Sequence, residues 1–258
     1  MLATLLSCAL AWQEPRPAEK RPPAPSAKEA SADKSDKGIR GKAANERSLD
    51  DKSAKAVLET WKAKAKAEFE ERATALDQLG TGKHKLLVPA LATVVTTDKS
   101  PILQKRAATL LADQEPAEAL AAIRKLLKNP KLTDPMVLTE LVRGLMRCGY
   151  DKAHWADVEP LFERAFGQEA VPLQEAILDL AKTFAEKQAV PLLLRHLDEP
   201  APADVNSGDN PPTEYWEARW KSWQAWRDKV GSALLAITGQ KFGNAAEAQQ
   251  WLKKNPLK

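Results

Sequence analysis

The chain is poor in the residues that usually carry chemistry: 258 residues contain two cysteines, three histidines and two tyrosines. Cys8 and Cys148 cannot build a disulfide framework or a paired-thiol metal site. Cys8 lies in an apolar leader, so removal of that leader leaves Cys148 alone, and its place before Gly149 reads as a packed thiol. His84, His154 and His196 fall in separate segments, and no His-Glu-x-x-His spacing, phosphate-cradling glycine loop or Gly-x-Ser-x-Gly elbow occurs. No cofactor and no metal is therefore expected. His196 and Asp198 invite a catalytic pairing, but their place at a helix end beside a proline reads as a surface histidine favoured by the helix dipole.

An excess of one charge is missing too. Against 39 basic residues stand 35 acidic ones, a formal net charge of +4 with the signs interspersed. A protein that neutralises many phosphates clusters its Lys and Arg, so nucleic acid is a disfavoured partner. Beyond the first eleven residues no stretch approaches the ~20 apolar residues of a membrane span. Glycine is scarce, with eleven residues, and long β-branched runs are almost absent, while Ala and Leu abound. That mixture favours helix over strand.

The N-terminus is compositionally distinct. Met1 to Ala11 is apolar and ends in Ala9-Leu10-Ala11, the small-x-small pattern of a signal peptidase site. Residues 1–11 are expected to be a signal peptide, although they lack a basic n-region and the apolar run is short. Leu5-Leu6-Ser7-Cys8 offers a lipoprotein alternative. Residues 12–50 carry Pro15, Pro17, Pro22, Pro23 and Pro25 followed by Lys, Glu, Asp, Ser and Ala, with few large apolar residues. Such a segment cannot bury enough surface to offset chain entropy and is expected to be a disordered spacer.

From Asp50 onward the pattern turns helical. Leu58, Trp61, Ala65, Phe69, Leu76 and Leu79 recur at helical steps along one face until Gly80 and Gly82 stop the run. Ser100-Pro101 and Asp134-Pro135 offer a cap followed by proline at the first helical position. Val88-Pro89-Ala90-Leu91, Glu159-Pro160-Leu161 and Val190-Pro191-Leu192 place proline at matching points, where first-turn amides have no intrahelical partner. Partner helices share an apolar spacing: Leu103, Ala107, Leu111, then Val137, Leu141, Leu145. The interval between matching points averages in the mid-thirties, the mark of helix pairs that must stack to bury their apolar faces.

Arg72 to Gly80 resembles the second helix of a HEAT-like repeat, and Gln188 to Leu197 is similar to the family's first-helix phrase. Leu103-Gln104 stands where a Val-Arg opening is usual. The resemblance covers about Arg72 to Leu197. It implies an all-α, right-handed α-solenoid of antiparallel helix pairs, expected over residues 51–198, and a protein-binding surface rather than chemistry.

Residues 199–212 are rich in Pro, Asp and Asn and read as a surface loop. Behind them Trp216, Trp220, Trp223 and Trp226 follow at steps of four, three and three, and Val230, Leu234 and Ile237 continue the stripe. One helix from about Thr213 to Thr238 is implied. With Arg219 and Arg227 beside them, these four tryptophans form the candidate binding surface. Two readings compete: the rings close the open end of the stack, or they stay exposed and bind peptide or glycan. Gly239 reads as a helix stop and Asn244-Ala245-Ala246-Glu247 as the start of a short final helix, with Phe242 and Trp251 pinning it back. Leu235 to Gly243 followed by a Trp-bearing helix resembles the ending of exported HEAT-repeat proteins of planctomycete-type bacteria, with Leu252 where a second Trp is common.

The expected function is a non-enzymatic, exported scaffold that binds a protein. An envelope binder of glycan or peptide, using the Trp216 to Trp226 face, is the alternative. A helical-repeat DNA glycosylase or lyase comes third; it would need a basic groove with an acidic residue inside and cytoplasmic residence.

Overall fold

The computed structural model describes residues 48–257 apart from Ala203 and Val205. The expected signal peptide and most of the expected spacer lie outside the described residues. Within them the regular structure is helical, with eleven α-helices and no strand. They are α1 (Asp51–Lys64), α2 (Phe69–Leu79), α3 (Val88–Thr97), α4 (Pro101–Leu111), α5 (Pro116–Leu127) and α6 (Pro135–Gly149), then α7 (Trp155–Phe162), α8 (Val171–Thr183), α9 (Val190–Arg195), α10 (Thr213–Thr238) and α11 (Ala245–Lys254). The long tryptophan helix spans the residues that its spacing predicts.

Helix ends follow local chemistry. Asp50 accepts from the Ser53 amide at 2.7 Å, Asp134 from Met136 and Val137 at 2.8 and 3.1 Å, and Asn244 from Glu247 at 2.8 Å. Proline occupies the first turn of α3, α4, α5, α6, α8 and α9. Gly239 ends α10 with φ 71°, a left-handed conformation that costs glycine nothing.

Two expectations about local structure need correction. Ser100 makes no side-chain cap; the Asp98 carboxylate instead accepts from the Ser100 amide at 2.8 Å and also holds Arg72. The apolar run from Leu58 to Leu79 is broken at residues 65–68 into α1 and α2. No glycine or proline marks this break; Arg72 fastens it by donating from Nη1 to the Ala67 carbonyl at 2.8 Å. Phe69 consequently starts a helix and is 36% exposed rather than lying on the buried face.

Consecutive helices pack as pairs, α1 with α2, α3 with α4, α5 with α6, and α7 with α8. Second members also touch along the series α2, α4, α6, α8, α10, and α11 packs on α9. Many side-chain contacts between successive pairs join residues 30 to 36 positions apart: Gln114 with His84 and Gly82, Thr109 with Glu140, Arg147 with Asp113, Arg124 with Asp157, Arg164 with Leu132 and Tyr150 with Glu186. One continuous apolar core runs from Ala54 to Ala248. Cys148 is half-buried, its thiol donating to the Ala112 carbonyl at 3.4 Å, and burial pushes its pKa up.

Candidate functional site

α10 carries all six residues of the candidate surface, and packing against α8 sorts them into four separate settings. The α8-facing stripe is set by Ser222, Trp226, Val230, Ala233 and Leu234, all buried. Ser222 exchanges hydrogen bonds with Gly167, accepting from its amide at 2.7 Å and donating to its carbonyl at 3.3 Å. Lys229 reaches the Asp179 carboxylate at 2.8 Å.

Trp226 is the innermost ring, 1% exposed. Its indole N–H donates to Gln174 Oε1 at 2.9 Å, and the fully buried Gln174 donates in turn to the carbonyls of Phe162 and Ala165 at 3.1 and 3.2 Å. Phe162 and His196 meet the indole edge-on, with centroids 5.3 and 5.6 Å away. His196 is therefore not the surface residue expected from its helix-end position. It is 3% exposed, and its Nε2 lies 2.8 Å from Glu163. Burial outweighs the Glu163 carboxylate and lowers the imidazole pKa to about 4. Burial alone would raise the Glu163 pKa, but the His196 hydrogen bond and the Arg195 charge bring it down overall.

Trp216 and Arg219 form the second setting. The Arg219 guanidinium lies 5.3 Å from the Phe166 ring centroid and 5.7 Å from that of Trp216, and Tyr215 accepts from its Nη1 at 3.4 Å. Phe166 lies in the connection after α7. No carboxylate is within ion-pairing distance of Arg219 among the described residues. Trp216 Nε1, Arg219 Nε and Trp223 Nε1 are closed off from solvent without a hydrogen-bond partner, an arrangement that costs about 1–3 kcal/mol per donor.

Trp223 and Arg227 form the third setting, with the guanidinium 5.2 Å from the indole centroid. They line a groove of about 500 Å³ between α10 and the turn that leads to α11. Leu197, Leu235 and Phe242 give this groove an apolar floor, Lys241 adds a second cation, and Asp228 and Ser232 supply acceptors. Trp251 packs on Phe242 at 5.6 Å and holds the far wall. Trp220 lies outside this groove, 39% exposed, its N–H bonded to Glu199 at 2.5 Å. The six residues thus form no single patch: Trp226 is core, Trp216 and Arg219 make an aromatic–cation cluster, Trp223 and Arg227 wall a groove, and Trp220 stands alone.

The chain matches no family model, no curated protein and no solved structure. Among the described residues no group of three or more His, Cys, Asp or Glu side chains could hold a metal ion, and no helix is long and apolar enough to cross a membrane. Lys241 and Phe242 were missed as groove residues by the sequence. They follow the Gly239 turn and precede α11, which packs on α9, and they lie beside Trp223 in the groove.

Proposed function

We propose that this chain is a non-enzymatic, protein-binding scaffold built as a right-handed HEAT-like solenoid of antiparallel helix pairs, exported to the cell envelope. The carrying observation is the separation of 30 to 36 residues that recurs in contacts between successive helix pairs. A recurrent offset of this size arises when similar units stack side by side, and such stacks present extended surfaces rather than one enclosed pocket. Export rests on the Met1 to Ala11 leader and its Ala9-Leu10-Ala11 ending.

A second reading is favoured by one specific observation. The Trp223 and Arg227 groove combines an aromatic wall, two cations and an apolar floor, a composition suited to an acidic peptide or a glycan. Full-length protein should be used as bait against envelope and medium fractions of its host, alongside Trp223→Ala and Trp220→Ala, with circular dichroism checking each fold. A stoichiometric protein partner supports the scaffold, and its loss in folded Trp223→Ala alone assigns the groove. Absence of any stoichiometric protein, with saturable binding of an oligosaccharide, would replace the scaffold by a glycan binder. An intact, unprocessed Met1 on protein held in the cytoplasm would end the export reading.

A further inference from the structure

Resting on the scaffold reading, we infer that the edge formed by the connections within helix pairs docks an extended, acidic partner segment in polyproline II conformation, with an apolar side chain at every third residue. Phe69 is the first residue of α2, Ile102 and Met136 are the second residues of α4 and α6, and they are 36%, 68% and 47% exposed. Single exposed apolar residues are ordinary; one in the first turn of the second helix of three successive pairs is a row. The register is fixed by contacts further along the same helices. Asp77 of α2 pairs with Arg106 of α4, while Thr109 and Asp113 on or just after α4 meet Glu140 and Arg147 of α6. The three first turns therefore lie side by side.

A second row accompanies the first. Lys66, Lys99, Lys131 and Arg164 occupy four successive connections, all exposed, and none forms an ion pair among the described residues. Arg164 donates only to the Leu132 carbonyl at 2.9 Å. Acidic neighbours on this edge are largely committed: Asp98 to Arg72, Asp134 to its capped amides, and Glu163 to Arg195 and His196. Glu68 and Glu70 flank Phe69, and Glu169 lies at the other end, so the positive character is greatest at the two middle connections. Indentations open between the connections as well. One of about 480 Å³ is lined by Lys66, Arg72 and Lys99, and one of about 240 Å³ by Pro135, Arg164 and Leu173.

Spacing selects the conformation of the occupant. Packed helices lie about 8–10 Å apart. A polyproline II segment has three residues per turn and rises 3.1 Å per residue, so every third side chain points the same way at about 9.3 Å. A β-strand turns alternate residues to one face at about 6.8 Å and falls out of step. The cation row supplies the complement for acidic residues between the apolar anchors.

The test uses the full chain and a fluorescent peptide of five Leu-Pro-Glu units, with a peptide of equal composition whose leucines are paired as the spacing control. Saturable binding is expected, weakened about tenfold or more by the altered spacing. Ile102→Asp with Met136→Asp should reduce it by at least as much, with unchanged circular dichroism and thermal midpoint because both side chains are exposed. Lys99→Glu with Lys131→Glu should lose the Leu-Pro-Glu peptide and gain the Leu-Pro-Lys one. No saturable binding, equal binding of both spacings, or indifference to the variants overturns the docking edge. A native partner whose binding survives Ile102→Asp with Met136→Asp also overturns it while sparing the scaffold reading, which falls only if no protein partner exists.

Discussion

At the scale of single residues, burial decides roles more than identity does. His196 sits among Phe162, Phe166 and Trp226 with Glu163 against its Nε2 and the charges of Arg195 and Arg219 nearby. The folded imidazole stays neutral down to about pH 4, while the unfolded one takes up a proton near pH 6.5. The unfolded chain binds more protons between these values, so stability falls as the pH drops through that window and levels off below it. The loss from His196 is about 3 kcal/mol. Glu163, whose pKa is lowered in the fold, and His154, whose neutral form burial favours, add losses of the same sign on acidification. Thermal midpoints measured from pH 7 to pH 4 should fall less steeply for His196→Gln than for the wild type; parallel curves would refute the assignment. None of this was legible in the sequence. His196 lies 33 residues from Glu163, and nothing in the local pattern of either residue names the other.

At the scale of elements, most of what the sequence offers is read correctly because caps, prolines and apolar spacing are local. α6 begins where Asp134 indicates and α10 begins and ends where Thr213 and Gly239 do, whereas the break between α1 and α2 is fastened by Arg72 reaching the Ala67 carbonyl and Asp98 and carries no local signal. The candidate surface divides similarly. The stripe through Trp226 and Leu234 was legible, but the groove beside Trp223 also takes in Lys241 and Phe242 from beyond the Gly239 turn. Close helix contact gives a test. A Cβ placed on Gly144 of α6 would lie 2.8 Å from the Ala112 Cβ and 3.0 Å from Ile123 Cδ1. Gly144→Ala would gain intrinsic helix propensity, worth about 1 kcal/mol, yet overpacking against a Cβ that cannot swing aside costs about 1–3 kcal/mol. Net destabilisation in urea titrations is expected. At Gly80 the obstruction is the flexible end of Leu110, so Gly80→Ala should be tolerated better. Equal effects at the two positions would contradict this difference.

For the whole molecule, contacts between neighbouring pairs predict graded rather than uniform protection. α6 packs against α4, α5 and α8, while α1 packs chiefly on α2, and α11 on α9. Opening costs least where one neighbour must be lost and most where three must. Amide hydrogen exchange should show the slowest amides in α4, α6 and α8 and the fastest in α1 and α11. Uniform protection would indicate one all-or-none unit. α10 is a special case near the C-terminal end, because Trp226, Ser222 and Lys229 each tie it to α8 or the connection before it. Its inner half should exchange with the centre and its exposed first turns with the ends.

The pairing of Ser48 with Lys83 has a mechanical consequence. The Leu49 amide donates to the Lys83 carbonyl at 3.1 Å, and Asp51 meets His84 at 3.0 Å. The same turn is gripped from the next pair by Gln114, which accepts from the His84 amide and donates to the Gly82 carbonyl, each at 3.2 Å. Tension applied through residues preceding Ser48 therefore loads α1, the turn before α3 and the end of α4 together. A single-molecule pulling trace should show one large first rupture, lowered by Gln114→Ala, rather than the early peeling of a lone helix.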